Sequence, residues 1–453
     1  MPAASLTRQF ADALTAYSAA NNTALEKAEY CLLDFFASCY ATQDFPWIRQ
    51  VQQVARANSA TPTGGAAIIG TPYRVSTQDA AFANAVAGHS LVRDDMHLGS
   101  VSHLGVVVIP AALALAAECP VTGRQFLEAI ICGYEAGGRL GAMLMDVETA
   151  KVMRPTGLIG AFAAAATTAK LAGLDPERTA HALGFAANYI TGLNEWASWG
   201  SDDMYFHPGI AVRNGLTAMQ LAAQGATAAD GALDGCAGLF AAMNKAIPEP
   251  ANLPFSSGEE ILRVFFKQVP ACNYAQTAAQ AARRLKETHA PDAAGITSVT
   301  VRVPHAAAHY PGCDYAGPFN SILQARMSIH FNVASALIHG DFHDSHYRDF
   351  GSKQVAALAA KITVEIDDAL TAAYPGKQGA AVMVSTSEGA GYDAGLEAVI
   401  AAATTEINER YLDAAGSVIG PAAAASLQQA VMSLAASADI NALAQLPEPV
   451  PQS

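Results

Sequence analysis

The spacing of hydrophobic positions predicts two kinds of structure along the chain. Up to about residue 266, stretches such as GRQFLEAIICGYEAGGRL and GLIGAFAAAATTAKLAGL repeat apolar and small residues at the spacing of a helix face. Alanine and glycine are frequent in these stretches, and such small residues suit close packing between helices. The pattern therefore predicts that this part of the chain is helical.

A different periodicity begins after residue 266. The segments 296–303, 361–367 and 380–386 (ITSVTVRV, KITVEID and AAVMVST) alternate apolar with polar or small residues, as half-buried strands do. Helical segments lie between them, and helical spacing returns from about residue 400. We predict a mainly α protein in which an α+β domain, residues 267–399, is inserted into an all-helical bundle domain formed by residues 1–266 and 400–453.

Size and charge narrow the classes of function. The chain has 453 residues, of which 51% are hydrophobic, enough for two or three domains with large cores. Its 26 basic and 40 acidic side chains give a net charge of −14, which repels nucleic acids and anionic membrane surfaces. We therefore expect no nucleic-acid or membrane partner. An anionic ligand would need a local cluster of arginine, lysine and histidine.

No targeting or spanning segment is expected from the sequence. The first twenty residues lack the basic and apolar regions of a signal peptide. The most apolar run, residues 104–117, contains Pro110 and is shorter than the roughly 20 residues that cross a bilayer. The seven cysteines are scattered without a CxxC motif, so neither a disulfide framework nor a zinc site is indicated. These features together favour a cytoplasmic protein.

The stretch GHSLVRDDMHLGSVSHLG, residues 88–105, concentrates the candidate chemistry of the chain. Its titratable and charged residues are His89, Arg93, Asp94, Asp95, His97 and His103. His97 and His103 are six residues apart and would not share a helix face, so we predict no metal site. The segment SEGAGYDAG has the wrong spacing for a dinucleotide loop and is expected to be a turn.

Six segments of the chain, in order, resemble landmarks of the MmgE/PrpD family. They are AEYCLLDFFAS, AAFANAVAGHSLVRDDMH, FLEAIICGYEAGGRLG, RPTGLIGAFAAAATTAKLAGL, FHPGIAVRNG and FKQVPACNYAQT. The resemblance implies a large helical domain, a smaller α+β domain, an active site between them, homodimers and no organic cofactor. Members of the family dehydrate 2-methylcitrate, decarboxylate cis-aconitate or epimerise iminodisuccinate, all of which are small polycarboxylates.

The chain departs from the family pattern at several positions. Dehydratase and decarboxylase members usually read H-x-L-D-aromatic-D-D-T-H, whereas residues 89–97 of this chain read HSLVRDDMH. The chain therefore lacks one acid and one hydroxyl of that motif, and it has Arg93 in addition. Arg154 stands where H-P-T-G begins, and Met204 replaces the lysine of K-x-L-H-P-G. Gln276 stands in place of the last histidine of K-x-x-P-x-C-x-Y-x-H.

Proton transfer beside a carboxylate builds negative charge, so such a site needs cations and a positioned acid or base. Arg93 and Arg154 are predicted to clamp a multiply anionic substrate, with surface ion pairs as the alternative. His103 is predicted to be the general acid or base, unless it is merely structural. Lys267 is predicted to be a second base or a charge-stabilising cation, with a solvated lysine as the alternative.

Two more residues complete the predicted catalytic set. Asp94 would orient a histidine or offset an arginine, although adjacent acids are also common helix caps. Cys272 would be a thiolate base if Lys267 lowers its pKa, and an inert buried cysteine otherwise. The remaining predicted substrate contacts are His97, His207, Tyr274 and Tyr315. For the tyrosines the alternative is core packing, and for His207 it is a cap.

Epimerisation needs less of a site than dehydration or decarboxylation, because it only removes a proton from a carbon and returns one on the other face. The family residues that this chain retains, together with its arginines, would supply two acid/base groups and a cationic cluster. The sequence therefore predicts a cofactor-independent isomerase that acts beside a carboxylate of a small polycarboxylate, and the resemblance favours iminodisuccinate. Two alternatives are a dehydratase-like or decarboxylase-like lyase, and a family member that only binds polycarboxylates.

Overall fold

Long helices with small residues at their contacts form the larger part of the molecule. The computed structural model describes residues 4–18, 21–59, 65–247 and 259–450. The helices of its first part are α1 (Leu6–Ala16), α2 (Asn22–Ala41), α3 (Pro46–Asn58), α4 (Thr77–His89), α5 (Gly105–Ala116), α6 (Gly123–Leu144), α7 (Val147–Val152), α8 (Pro155–Leu171), α9 (Pro176–Ala187), α10 (Trp196–Trp199), α11 (Asp203–Ala223), α12 (Leu239–Ala242) and α13 (Glu259–Leu262). The prediction of a helical first part is therefore confirmed.

The contact between α8 and α11 shows why small residues recur in these helices. A Cβ atom on Gly160 would lie 2.9 Å from the Cβ of Ala211, and one on Gly215 would lie 2.6 Å from the carbonyl oxygen of Ala161. Both distances are shorter than packed atoms allow, so glycine permits the two backbones to approach each other. The two helices are thereby held together at the N-terminal end of α8, where Arg154 lies.

The second part of the chain surrounds a small sheet. Its helices are α14 (Gln276–His289), α15 (His305–His309), α16 (Ile322–Met327), α17 (Ile329–His339), α18 (Ser345–Arg348), α19 (Lys353–Ala359), α20 (Asp368–Ala373), α21 (Thr404–Ile419), α22 (Pro421–Val431) and α23 (Asn441–Ala444). The short strands are β1 (Ala66–Ala67), β2 (Arg74–Val75), β3 (Met96–His97) and β4 (Val264–Phe265), and those of the sheet are β5 (Ile296–Val303), β6 (Ile362–Ile366), β7 (Ala380–Thr386) and β8 (Gly391–Leu396).

The sheet has the strand order β6-β5-β7-β8, and only β5 and β6 are parallel. The three strands predicted from period-two alternation are confirmed as β5, β6 and β7. The predicted turn within SEGAGYDAG is also present, since residues 387–390 connect β7 to β8. The strand β8 itself escaped prediction because it contains two glycines, which strands disfavour, and has no buried residue.

The last helices return to the first part of the molecule. Helix α21 packs on α2, and Arg410 of α21 pairs with the buried carboxylate of Asp34 in α2. The guanidinium of Arg410 also donates to the carbonyl of Lys267, at 2.9 Å. These contacts support our proposal that residues 400–453 belong with residues 1–266 in one helical domain. Among the described residues, no helix combines the length and apolarity that crossing a membrane requires.

A fully buried arginine, Arg326, links α16 to the end of α4. Its guanidinium donates to the carbonyl of Ser90 and to Asp344, the latter at 2.5 Å. A charge in this position needs both acceptors, because a buried ion without partners is strongly destabilising. The hydrogen bond to Ser90 therefore holds the loop after α4 against the second part of the chain, and the ion pair with Asp344 orients the guanidinium.

Replacing Arg326 with methionine should lower the free energy of unfolding by about 3 kcal/mol, because Ser90 would lose a buried partner. The measurement is urea unfolding followed by circular dichroism. Arg302→Met is the matched control, since Arg302 is half exposed and lies 3.6 Å from Glu365. The Arg302→Met substitution should lower the free energy of unfolding by less than about 1 kcal/mol. Equal losses in the two variants would show that Arg326 does not tie the two parts together.

Candidate active site

The loop between α4 and α5 has an unusual backbone. Val92 and Val101 take φ angles of 54° and 52°. β-branched residues adopt this left-handed conformation only where the surroundings enforce it, and such residues cluster at functional sites. Here the ammonium of Lys267 donates to the carbonyl of Val92, and the strand Met96–His97 pairs with Val264–Phe265. These contacts hold the loop in the shape that gathers its polar side chains.

The carboxylate of Asp94 lies between two imidazole rings. Its Oδ2 is 2.9 Å from Nδ1 of His89 and 3.1 Å from Nδ1 of His103. Nδ1 of His103 is also 3.0 Å from the carbonyl oxygen of Asp95. Because carboxylate and carbonyl oxygens only accept hydrogen bonds, Nδ1 carries the hydrogen in both rings. The lone pair of each neutral ring therefore lies on Nε2.

The electrostatics of this cluster agree with that assignment. Burial, together with the Arg154 cation, lowers the pKa of His89 to about 3. Burial also lowers the pKa of His103. Burial alone would raise the pKa of Asp94, but His103 and His89 hold it well below its usual range. The empty site thus contains an ionised Asp94 and two neutral imidazoles.

The side chain of Asp95 supports the cluster from behind. Its Oδ2 accepts a hydrogen bond from the hydroxyl of Tyr134, and its Oδ1 accepts one from the amide of Gly105, at 3.0 Å. A Cβ on Gly105 would lie 2.9 Å from both carboxyl oxygens, so glycine is needed for this approach. Burial raises the pKa of Asp95 to about 7. These contacts hold the carbonyl of Asp95 in place against His103.

Arg154 brings a permanent cation to the other side of the cluster. It is the residue before α8 and its side chain is buried. Its Nη2 is 2.6 Å from Nε2 of His89, so the guanidinium donates to the lone pair of that ring. Nη1 is buried without a hydrogen-bond partner among the described residues. Burial lowers the pKa of Arg154, yet a guanidinium remains charged near neutral pH. The unused N–H groups are suited to a carboxylate.

A narrow cavity with about 30 Å³ of open space lies between the helical part and the second part of the chain. Its walls come from the α4–α5 loop, the start of α8, α10, α11 and residues 272–327: Val92, Met96, Val101, His103, Arg154, Pro155, Thr156, Trp196, Met204, Cys272, Asn273, Tyr274, Tyr310 and Met327. None of the described residues forms a hydrogen bond to Nε2 of His103, which therefore presents its lone pair to this space. The cavity thus has a cation and a proton-accepting nitrogen on its walls.

Lys267 and Cys272 come from the segment that closes one side of the cavity. Two hydrogens of the Lys267 ammonium are used by the carbonyls of Val92 and Ala271, so this side chain supports the wall from behind. Burial lowers the pKa of Lys267 to about 8. Burial alone would raise the pKa of the Cys272 thiol, but Cys313 at 3.6 Å and the nearby cations lower it. Cys272 therefore lines the cavity as a polarised thiol.

The structure brings most of the predicted site residues together. Those that line the cavity are His103, Arg154, Cys272 and Tyr274, and those directly behind its walls are Asp94, Lys267 and His207. The hydroxyl of Tyr274 is 3.0 Å from that of Tyr374. Burial and Arg154 lower the pKa of His207 to about 4. These seven residues form one connected group around the cavity.

Three predicted substrate contacts lie elsewhere, and their placement corrects the sequence-based interpretation. Arg93 does not line the cavity, and the charged groups that act on its guanidinium are Arg410, Asp34, Asp344 and Glu406. His97 lies with its Nε2 2.9 Å from Glu260 and its Nδ1 2.8 Å from the hydroxyl of Ser100.

Tyr315 is the third predicted substrate contact that lies elsewhere. Its hydroxyl donates to the carbonyl of Pro318 at 2.5 Å, and the residue does not line the cavity. The common cause is that side chains close together in a loop point to different sides of it. Tyr310, five residues earlier, takes the position in the wall that Tyr315 was expected to hold.

Residues of the site that were absent from the predicted set include His89, Trp196, Met204 and Tyr310. His89 begins the charged stretch and could have been included, since it lies five residues before Asp94 at the end of a helix. Burial raises the pKa of the Tyr310 hydroxyl, which therefore stays protonated and can donate. The tryptophan and methionine carry no sequence signal that separates a cavity wall from a core.

His89, Asp94 and His103 also form a group whose ligand atoms lie within 4.8 Å of one another, a spacing that a metal ion could use. The surrounding charges do not suit a cation. The Arg154 guanidinium contacts Nε2 of His89 at 2.6 Å, and the Asp94 carboxylate already accepts hydrogen bonds from both rings. We therefore interpret the group as a hydrogen-bonded relay.

Comparison with known proteins shows which family the chain resembles over most of its length. Residues 8–249 match the MmgE/PrpD N-terminal domain, and residues 269–433 match the MmgE/PrpD C-terminal domain. The cis-aconitate decarboxylase-like protein oryM of Aspergillus oryzae is 31% identical over 209 residues, 44% of this chain and 43% of that protein. Cis-aconitate decarboxylase of Aspergillus terreus is 30% identical over 225 residues, 48% of this chain and 45% of that protein. The matched region spans less than half the length of these relatives.

These relatives correct one sequence-based prediction. A decarboxylase is a lyase, whereas the replacements in the charged stretch had favoured an isomerase that epimerises a polycarboxylate. The isomerase prediction is therefore wrong. Its premise was that the residues missing here are among those that the lyases of the family use, but a histidine that exchanges a proton with carbon serves either class of reaction.

Proposed function

The chain belongs to the MmgE/PrpD family, and from that premise we propose that it is a lyase that releases carbon dioxide from a small unsaturated di- or tricarboxylic acid. The observation that carries the proposal is the pairing of two groups on one cavity. Arg154 has a guanidinium nitrogen without a partner among the described residues, and none of those residues forms a hydrogen bond to Nε2 of His103, which lines the cavity. The first suits a carboxylate, and the second suits transfer of a proton to or from carbon.

The chemistry that we propose uses these groups in one step. The bond between a CH2 carbon and its carboxylate breaks, and its electron pair forms a new double bond to the neighbouring carbon. The electrons of the original double bond move to the carbon beside a second carboxylate, which takes up a proton. Arg154 would stabilise the charge that builds on that second carboxylate. The His103 imidazolium would supply the proton, and carbon dioxide leaves.

The relay explains how His103 would acquire that proton. Its Nδ1 keeps its hydrogen, with Asp94 as an acceptor 3.1 Å away, so protonation occurs at Nε2, which faces the cavity. Burial lowers the pKa of His103 in the free protein. A bound dicarboxylate adds negative charge at this nitrogen and raises the pKa again. Binding of the substrate and uptake of one proton are therefore coupled.

The test is to incubate the purified protein with cis-aconitate, glutaconate and 2-methylcitrate. Glutaconate has the carbon skeleton of cis-aconitate without its central carboxylate. We expect carbon dioxide release from at least one of the two unsaturated acids, and no loss of water from 2-methylcitrate. Loss of water without carbon dioxide, or no reaction with any of the three, would contradict the proposal.

The direction of the pH dependence is a second expectation. If His103 donates a proton, kcat/KM should fall as pH rises through the lowered pKa of this residue in the free protein, below its ordinary value of about 6.5. The fall in kcat should occur at higher pH, because the bound substrate raises that pKa. The measurement is a pair of pH profiles corrected for titration of the substrate. A rise of kcat/KM with pH over this range would indicate a base and contradict the assigned role.

A further inference from the structure

The cavity has fewer cations than a tricarboxylate would need. Among its fourteen lining residues, all within the described part of the chain, Arg154 is the single side chain with a permanent charge. Lys267 lies behind the wall, where two of its three hydrogens are bound to backbone carbonyls. His207 also lies outside the lining, and its pKa is lowered to about 4 by burial and Arg154, so it is neutral near pH 7. One carboxylate of a ligand can therefore be paired directly.

Six of the other lining residues are large and apolar: Met96, Met204, Met327, Val92, Val101 and Trp196. The polar ones besides His103 carry no permanent charge: Thr156, Cys272, Asn273, Tyr274 and Tyr310. All three methionines are buried. The ring of Trp196 is 5.7 Å from the guanidinium carbon of Arg154, so this apolar surface begins immediately beside the cation. Methionine side chains adapt their shape to an apolar ligand group.

An apolar wall has opposite consequences for the different carboxylates of a substrate. A carboxylate that is lost as carbon dioxide gives up its charge in the reaction, so an apolar environment favours its departure. A carboxylate that is retained there would stay unpaired and desolvated, at a high cost in free energy. Arg154 accommodates one retained carboxylate, and the wall accommodates the one that leaves. A third would meet only neutral donors, such as the hydroxyl of Tyr310, and no second permanent cation among the lining residues.

Building on the proposed decarboxylation, we propose that the substrate is an unsaturated dicarboxylate with an apolar group at the position where cis-aconitate has its third, central carboxylate. Such compounds are glutaconates with an alkyl group on the central carbon. The alkyl group packs against Met204, Met327 and Trp196. Met204 is the residue that excludes a third charge, because its sulfur lies 3.2 Å from Nε2 of His89, beside the carboxylate-binding end of the cavity.

The experiment compares carbon dioxide release from glutaconates whose central carbon bears hydrogen, methyl, propyl or carboxylate, the last being cis-aconitate. We expect kcat/KM for the methyl or propyl compound to exceed that for cis-aconitate by at least about tenfold. A preference for cis-aconitate overturns this inference and leaves the decarboxylase proposal intact. Absence of carbon dioxide from every compound overturns the decarboxylase proposal itself.

A pair of variants tests the role of Met204. Met204→Lys places a cation in the apolar wall and should shift the ratio of kcat/KM toward cis-aconitate by about tenfold or more. Met204→Leu keeps the wall apolar and should retain the preference of the original protein. Because the readout is a ratio between two substrates on one protein sample, partial misfolding cancels. If neither variant folds, the comparison of substrates on the unaltered protein still decides the inference. An unchanged ratio in folded Met204→Lys would overturn the assignment of Met204.

Discussion

Replacing His103 with glutamine should lower kcat for carbon dioxide release by about 10³-fold, the usual worth of a positioned general acid. Glutamine is close in size and its amide can still donate to Asp94, so the relay loses its proton carrier and keeps its shape. The effect should fall on kcat more than on KM, because the proton is needed in the transition state and Arg154 remains to bind the substrate. Initial rates with saturating substrate measure it.

His97→Gln is the matched control for this variant. His97 belongs to the same loop and is as deeply buried, but it contacts Ser100 and Glu260 instead of the cavity. Its kcat should stay within about threefold of the original value, although the thermal midpoint is expected to fall. Equal losses of kcat in both variants would mean that the loop as a whole, and not the imidazole of His103, supports the reaction.

Replacing Arg154 with lysine should lower kcat/KM by about 10²-fold to 10³-fold. Lysine keeps the positive charge but lacks the planar fork that binds a carboxylate with two hydrogen bonds, and it cannot donate to His89 in the same geometry. KM should rise because the paired carboxylate is bound in the ground state, and kcat should fall because this carboxylate gains charge in the transition state. Steady-state kinetics with the preferred glutaconate is the measurement.

Arg93→Lys provides the comparison that separates a clamp from a structural cation. The sequence alone does not show which of the two arginines lines a cavity, whereas the structure has Arg154 in the cavity wall and Arg93 outside it. This variant should change kcat/KM by less than about threefold. A loss in Arg93→Lys as large as that in Arg154→Lys would contradict the assignment of the clamp to Arg154.

Periodicity predicted the secondary structure well where burial decides it. The strands β5 and β7 coincide with predicted segments, because each has one face in the core. The strand β6 lies within the predicted segment 361–367, although only Ile362 in it is buried. The edge strand β8 has no buried face, so its sequence resembles a turn. Long helices were likewise evident from their apolar and small residues.

The site was harder to predict because loop geometry determines which side chains meet. Two valines with positive φ set the course of the loop after α4, and nothing in the sequence marks a valine for that conformation. As a result His103 reaches the cavity with Asp94 behind it, while Arg93 and His97 do not line it. The resemblance to a family indicated segments whose residues line this cavity, and the reaction class that we propose depends on relatives, since the same histidine can serve a lyase or an isomerase.

The central claim is that a dicarboxylate binds in this cavity with one carboxylate on Arg154 and its reacting carbon beside His103. A crystal structure of the His103→Gln variant with an alkyl-substituted glutaconate tests it most directly. We predict carboxylate oxygens about 3 Å from the Arg154 guanidinium and the alkyl group against Met204 and Trp196. A ligand bound elsewhere, for example in the surface groove between residues 116–122 and 438–445, with the cavity empty, would contradict the claim.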